Sequence, residues 1–164
     1  MSEINEYLKE AEVAVLVPAP NMLADTLTKV LADTVVFYFK AHSFHWNVTG
    51  SNFPQYHEFF GNVYEQVYGN VDRLAEEIRA LGVMAPKNLT SLIAVSGLTE
   101  NRDDLDAMGM FAALASDNQK ILGGLIACQK MAEAANQVGL ANYLQDLFDA
   151  HKKLAWMLAA TLKV

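Results

Sequence analysis

Three of the chain's four histidines, His42, His45 and His57, fall in one stretch, HSFHWNVTGSNFPQYHEFFG, residues 42–61. Imidazole nitrogen is a ligand for the borderline divalent metals, and carboxylate oxygen completes many such sites. His45 and His57 flank the turn-like TGSNFP, so folding at that turn could bring two imidazoles together. Asp72 and Glu76 stand at i and i+4, which puts two carboxylates on one helix face about one turn apart. That pair can hold a cation from one side, or it can be a solvated acidic face paired with Arg73 and Arg79. His42 precedes His45 by three positions and shares its face. His151, beside Lys152 and Lys153, has no acid–histidine pattern of its own and reads as a surface or bundle contact.

The elements that must position these groups are helical. From Met22 to about Trp46, Leu23, Leu27, Val30, Leu31, Val35, Phe37, Tyr38 and Phe39 recur at helical spacing, with Asn21 as N-cap after the PAPN breaker. Pro54 suits a first helical turn, and a second helix is expected from there to Leu81, closed by Gly82. A short helix near Asn88–Val95 is expected in the long connection that follows. A third long helix is expected after Thr99, with TENRDD giving a cap and acidic first-turn residues, and running to about Asn136. The fourth occupies about 140–162. The fold class is therefore all-α: a four-helix bundle over residues 18–164 with an extra helix in its B–C connection, preceded by an acidic arm over 1–17.

Could His57 and Asp72 serve one metal? Fifteen residues along an unbroken helix separate them by roughly 22 Å, far beyond a metal–ligand bond of about 2 Å. The same spacing leaves only about 60° of residual rotation, so both face a similar direction. A second copy packed antiparallel across a two-fold axis would bring His57 of one chain to Asp72 of the other and create two equivalent sites. A di-iron centre within one chain would need Glu-x-x-His motifs. The residues three before the four histidines are Phe39, His42, Pro54 and Phe148, so that arrangement is disfavoured.

The formal charge is −7, which attracts cations and repels a free polyanion. Cys128 is the only cysteine, which precludes an intrachain disulfide and fits a reducing cytoplasm. No apolar run suffices for a bilayer span, and MSEINEYLKE is unlike a secretory signal.

FHWNVTGSNFPQYHEFF followed by NVDRLAEEIRALG, with the late KKLAWML, resembles the Dps family of mini-ferritins, the ferritin-like DNA-binding proteins from starved cells. The resemblance covers most of the chain. It implies a hollow dodecamer of four-helix bundles with a ferroxidase centre at each two-fold interface. His45 and His57 of one subunit and Asp72 and Glu76 of its neighbour would bind iron, with Trp46 the aromatic beside the site. Fe(II) oxidation by hydrogen peroxide and storage of ferric mineral would follow, with zinc as a competing ion.

Two features depart from the family pattern. An aspartate usually follows the second histidine by four residues, and here Gly61 stands there. Glu58, Glu65 and His42 are near in sequence, without an evident replacement among them. The expectation is one firm metal position and one weaker, and a gain of the weaker one on Gly61→Asp at little cost in stability. DNA-binding members often carry a lysine-rich tail. Here the arm has Glu3, Glu6, Glu10 and Glu12 against Lys9, and the chain ends in TLKV. Twelve such chains would carry a formal charge of about −84, which argues against direct DNA binding. Asp146 and Asp149 are candidates for a cation pore at a three-fold axis, or simply for solvent-facing residues. The rival readings are a DNA-compacting nucleoid protein with an impaired iron site and a metal-free helical interaction domain.

Overall fold

The computed structural model describes residues 20–100 and 104–163, and the proposed 1–17 arm lies outside them. Six helices are present among the described residues: α1 (Pro20–Asn47), α2 (Phe53–Tyr68), α3 (Val71–Ala80), α4 (Leu89–Val95), α5 (Ala107–Ala134) and α6 (Val138–Leu162). The bundle is built from α1, the α2–α3 rod, α5 and α6. Helix α1 packs against α2, α3, α4 and α5, and α6 lies along α5. Leu23, Leu27, Phe37, Phe44, Phe60, Leu74, Phe111, Leu114 and Leu144 fill the centre. The Phe60 ring meets Phe44 and Phe111 at centroid distances of 5.8 and 4.7 Å, which ties three helices together beside the α1–α2 turn.

The expected second helix is present as two segments. Gly69 and Asn70 interrupt it, yet both keep φ and ψ near the right-handed helical region, so α3 carries on in the sense of α2. The extra helix α4 starts from Asn88, whose side chain accepts from Ser91 N–H at 2.9 Å. The third long helix begins later than expected. Its cap is Asp106, which accepts from Gly109 N–H at 2.7 Å, while residues 104–106 are non-helical. Gly82 closes α3 with φ +83°, a conformation that costs glycine nothing. At the α5–α6 turn the left-handed residue is Asn136, with φ +56°.

His151 is not a surface residue: it is 6 % exposed. Its Nδ1–H donates to Asn118 Oδ1 at 2.6 Å, Asn118 Nδ2 donates back to the His151 carbonyl at 2.9 Å, and the ring edge meets Phe37. Burial pushes its pKa from 6.5 down to about 4, so the fold holds it neutral. Between those values the unfolded chain binds a proton that the folded chain refuses. Stability is therefore whole above pH 6.5 and falls as pH drops toward 4, by up to ~3 kcal/mol in total. Urea midpoints measured across this range should fall with pH in the parent and fall less steeply in His151→Gln. Equal slopes would show that His151 does not carry the acid sensitivity.

Candidate metal centre

The turn after α1 does what the two-histidine spacing demands. Val48 is buried and still bonds back to Phe44, Gly50 takes φ +117°, and Phe53 N–H closes onto the Gly50 carbonyl. Helix α2 then runs back along α1, so His45 in the last turn of α1 meets His57 in the first turns of α2. Their rings stack with centroids 3.7 Å apart and planes at 22°. His45 Nδ1 lies 2.7 Å from the His57 carbonyl, and His57 Nδ1 lies 2.7 Å from the His45 carbonyl. A carbonyl oxygen only accepts, so each Nδ1 carries the proton. Each Nε2 of the neutral ring is then a free lone pair in an imidazole whose orientation is already set, the tautomer a metal ligand needs. Both rings are half-buried.

Gly61 lies against this pair. A Cβ there would stand 3.2 Å from His45 Nδ1 and 3.3 Å from His45 Cε1. The glycine is thus more than a lost carboxylate: it gives the pinned His45 ring its space. This revises the expectation that Gly61→Asp is nearly free of cost, because His45 must yield by a few tenths of an ångström.

Asp72 and Glu76 are exposed on α3. The alternative pairing with arginine is not what forms. Arg73 reaches Glu77 at 3.7 Å and lies over the Tyr143 ring, and Arg79 donates to the Val83 carbonyl. Among the described residues neither Asp72 nor Glu76 has an ion pair, and no three His, Cys, Asp or Glu side chains of one chain gather as a metal site. The structure therefore brings His45 and His57 together and leaves Asp72 and Glu76 apart from them.

The other named residues also have definite places. Glu58 and Glu65 are exposed, and Glu65 accepts from the Tyr64 hydroxyl at 3.4 Å. His42 faces an aromatic cluster: it stacks on Tyr64 at 3.9 Å, lies tilted against Trp46 at 4.1 Å, and its Nδ1 is 3.4 Å from the Tyr38 hydroxyl. Burial, with the neighbouring His45, lowers its pKa. Trp46 is 56 % exposed. Asp146 and Asp149 are exposed on α6. Tyr38, Tyr64 and Tyr68 were missed as a group, although i, i+4 spacing of 38, 42 and 46 and of 64 and 68 marks two aromatic stripes.

A ferritin-like domain model matches residues 24–164. The DNA protection during starvation protein of Brevibacillus brevis is 30% identical over 143 residues, covering 87% of this chain and 96% of that one. This chain belongs to the Dps family. The crystal structure of a Dps protein from Bacillus brevis, also 30% identical, superposes with a TM-score of 0.84 over 88% of this chain and 97% of that one. A Vibrio cholerae O1 Dps, described as a member of a broad superfamily of ferritin-like diiron-carboxylate proteins, is 26% identical. It superposes with a TM-score of 0.84 over 88% of this chain and 91% of that one. The four-helix bundle expected from the helical pattern is thus present, with the short α4 in its B–C connection. No helix among the described residues is long and apolar enough to cross a membrane.

Proposed function

We propose that this Dps-family chain is a ferroxidase and iron-storing mini-ferritin whose metal site is completed by a second copy. The observation that carries the proposal is the His45–His57 pair. Two half-buried imidazoles hold each other through Nδ1 and leave both Nε2 atoms open to a metal. The carboxylates of the same chemistry, Asp72 and Glu76, have no ion pair among the described residues and lie on the continuing rod. A two-fold, antiparallel pairing supplies each histidine pair with the other chain's Asp72 and Glu76. The surface around the pair suits such burial: Phe39, Trp46, Phe53, Tyr68 and Leu89 are exposed, and an apolar groove of about 320 Å³ lies between α1 and α4.

In this function Fe(II) is the substrate. His45 and His57 bind it through Nε2, Asp72 and Glu76 of the neighbouring copy add negative oxygen, and Trp46 shields the site from water. Hydrogen peroxide accepts two electrons from two Fe(II) and with two protons leaves as water, so no hydroxyl radical is released. The ferric product is stored as mineral inside a dodecamer. A DNA-compacting role has no support in the net charge of −7.

Fe(II) mixed with stoichiometric peroxide should be oxidised much faster with the protein than in buffer, and equal rates would refute the ferroxidase. Anaerobic Fe(II) titration then separates the two positions. The parent should show one firm and one weaker iron per site. Gly61→Ala adds only the contact with His45, while Gly61→Asp adds the contact and a carboxylate. The weaker position should bind ~10-fold more tightly in Gly61→Asp than in Gly61→Ala. Two equal irons in the parent, unchanged in both variants, would show that the glycine is no deficiency.

A further inference from the structure

The aromatic cluster beside the histidine pair has a direction. The Tyr64 ring lies against His45 edge to face, with centroids 5.3 Å apart. Tyr64 stacks on His42 at 3.9 Å with planes only 16° apart, and its ring is 6.4 Å from Tyr38. Tyr38 in turn packs on His42 at 5.7 Å and on Tyr68 at 4.9 Å. Tyr68 is 59 % exposed and stands four residues before Asp72. Oxidisable phenols are therefore in unbroken ring contact from one chain's histidine pair to a surface position one turn before its own carboxylates.

Core packing does not require this. The aromatic core is the separate Phe44–Phe60–Phe111 group. Tyr38 and Tyr64 are only partly buried, and a hydroxyl adds nothing to apolar packing there. What three phenols in series can do, and three phenylalanines cannot, is give up an electron together with a proton. The Tyr38 hydroxyl is 3.4 Å from His42 Nδ1, which can take that proton in the tautomer protonated at Nε2.

We propose that Tyr64, Tyr38 and Tyr68 form a redox relay that carries electrons to the iron site, with His42 as the ring that joins the first two. The inference rests on His45 and His57 holding iron. Its use follows from a site with one firm iron. Peroxide takes two electrons, but one Fe(II) gives one. The second comes from a tyrosine: Fe(II) + H2O2 + TyrOH gives Fe(III) + TyrO• + OH⁻ + H2O. The O–O bond breaks, the metal and the phenol are each oxidised by one electron, and the phenolic proton ends in the water formed. The hole then moves outward to Tyr68. There a further Fe(II) fills it: TyrO• + Fe(II) + H⁺ gives TyrOH + Fe(III). Tyr68 adjoins the Asp72 end of the chain, which in the two-fold assembly serves the other site, so the relay lets two singly loaded sites act on one peroxide.

The test uses the assembled full-length protein loaded anaerobically with one Fe(II) per site, mixed with excess peroxide and frozen within the turnover. Electron paramagnetic resonance should show a phenoxyl radical in the parent. The triple variant Tyr38→Phe, Tyr64→Phe, Tyr68→Phe keeps every ring and should lose the signal, while Tyr143→Phe on α6 should keep it. Spin-trapped hydroxyl radical should rise in the triple variant alone. Iron oxidised without a phenoxyl signal, or a signal that survives the triple replacement, overturns the relay. No acceleration of iron oxidation in any of these proteins would instead remove the ferroxidase, and the relay with it.

Discussion

Mixed assemblies of His45→Ala and Asp72→Ala chains are expected to regain ferroxidase activity that neither variant has alone. Each variant by itself leaves every site short of a ligand, and the loss of one such group should lower metal affinity or activity at least ~10- to 100-fold. When the two are unfolded together and reassembled, half the two-fold pairs are mixed. A mixed pair has one site lacking both groups and one site with all four ligands intact. Roughly one quarter of all sites is therefore restored by random pairing across a two-fold. A site within one chain would restore none, because each chain keeps its own lesion. The measurement is the initial rate of Fe(II) oxidation by peroxide, with chain mixing verified by mass spectrometry. No gain in verified mixed particles would sink the shared site. The fold should be unharmed, since Asp72 is exposed and the His57 and His45 carbonyls remain with either substitution.

The largest expected effect on stability lies away from the histidines. Lys40 and Asp117 form an ion pair whose side chains are 8% and 7% exposed, and Lys40 also donates to the Thr99 carbonyl at 2.7 Å. Lys40 thus joins α1, α5 and the connection after α4. Removing its amine strands a carboxylate in the core, which costs ~3–5 kcal/mol by comparison with other broken buried pairs. Half-exposed Lys120, 3.4 Å from Asp117, can turn inward and offset part of this, so Lys40→Ala should cost ~3 kcal/mol. Lys120→Ala should cost under ~1 kcal/mol, as for exposed pairs. The double replacement Lys40→Met with Asp117→Leu should recover most of the loss, because no buried charge remains. Chemical denaturation midpoints read all three. Equal midpoints for Lys40→Ala and Lys120→Ala would show that burial of the pair has little energetic weight.

The connection held by Lys40 was the least readable part of the chain. Apolar periodicity marked α1 and α6 within a few residues, and Asn88 and Gly82 marked the ends of α4 and α3, because caps and helical repeats are local. TENRDD was expected to cap the third long helix, but the cap in use is Asp106, two residues beyond that stretch. Asp33 holds the start of that connection, accepting from Ser96 Oγ at 2.7 Å and Gly97 N–H at 2.6 Å, contacts with partners more than sixty residues away. No local pattern announces such a partner. The interruption at Gly69–Asn70 was also missed, since glycine inside a periodic run reads as tolerated.

By itself the sequence determined which chemistry was available: two imidazoles across a turn, two carboxylates on one helix face, and a spacing too long for one chain to close. Those follow from residue type and the rise per residue. Only the tertiary structure decided that the two histidines pin each other through Nδ1, that Gly61 makes room for one of them, and that His42 belongs to the tyrosines. It also placed His151 in the core against Asn118. Ring orientation depends on which carbonyl, ring or void an adjoining helix presents, and helical periodicity does not contain that information.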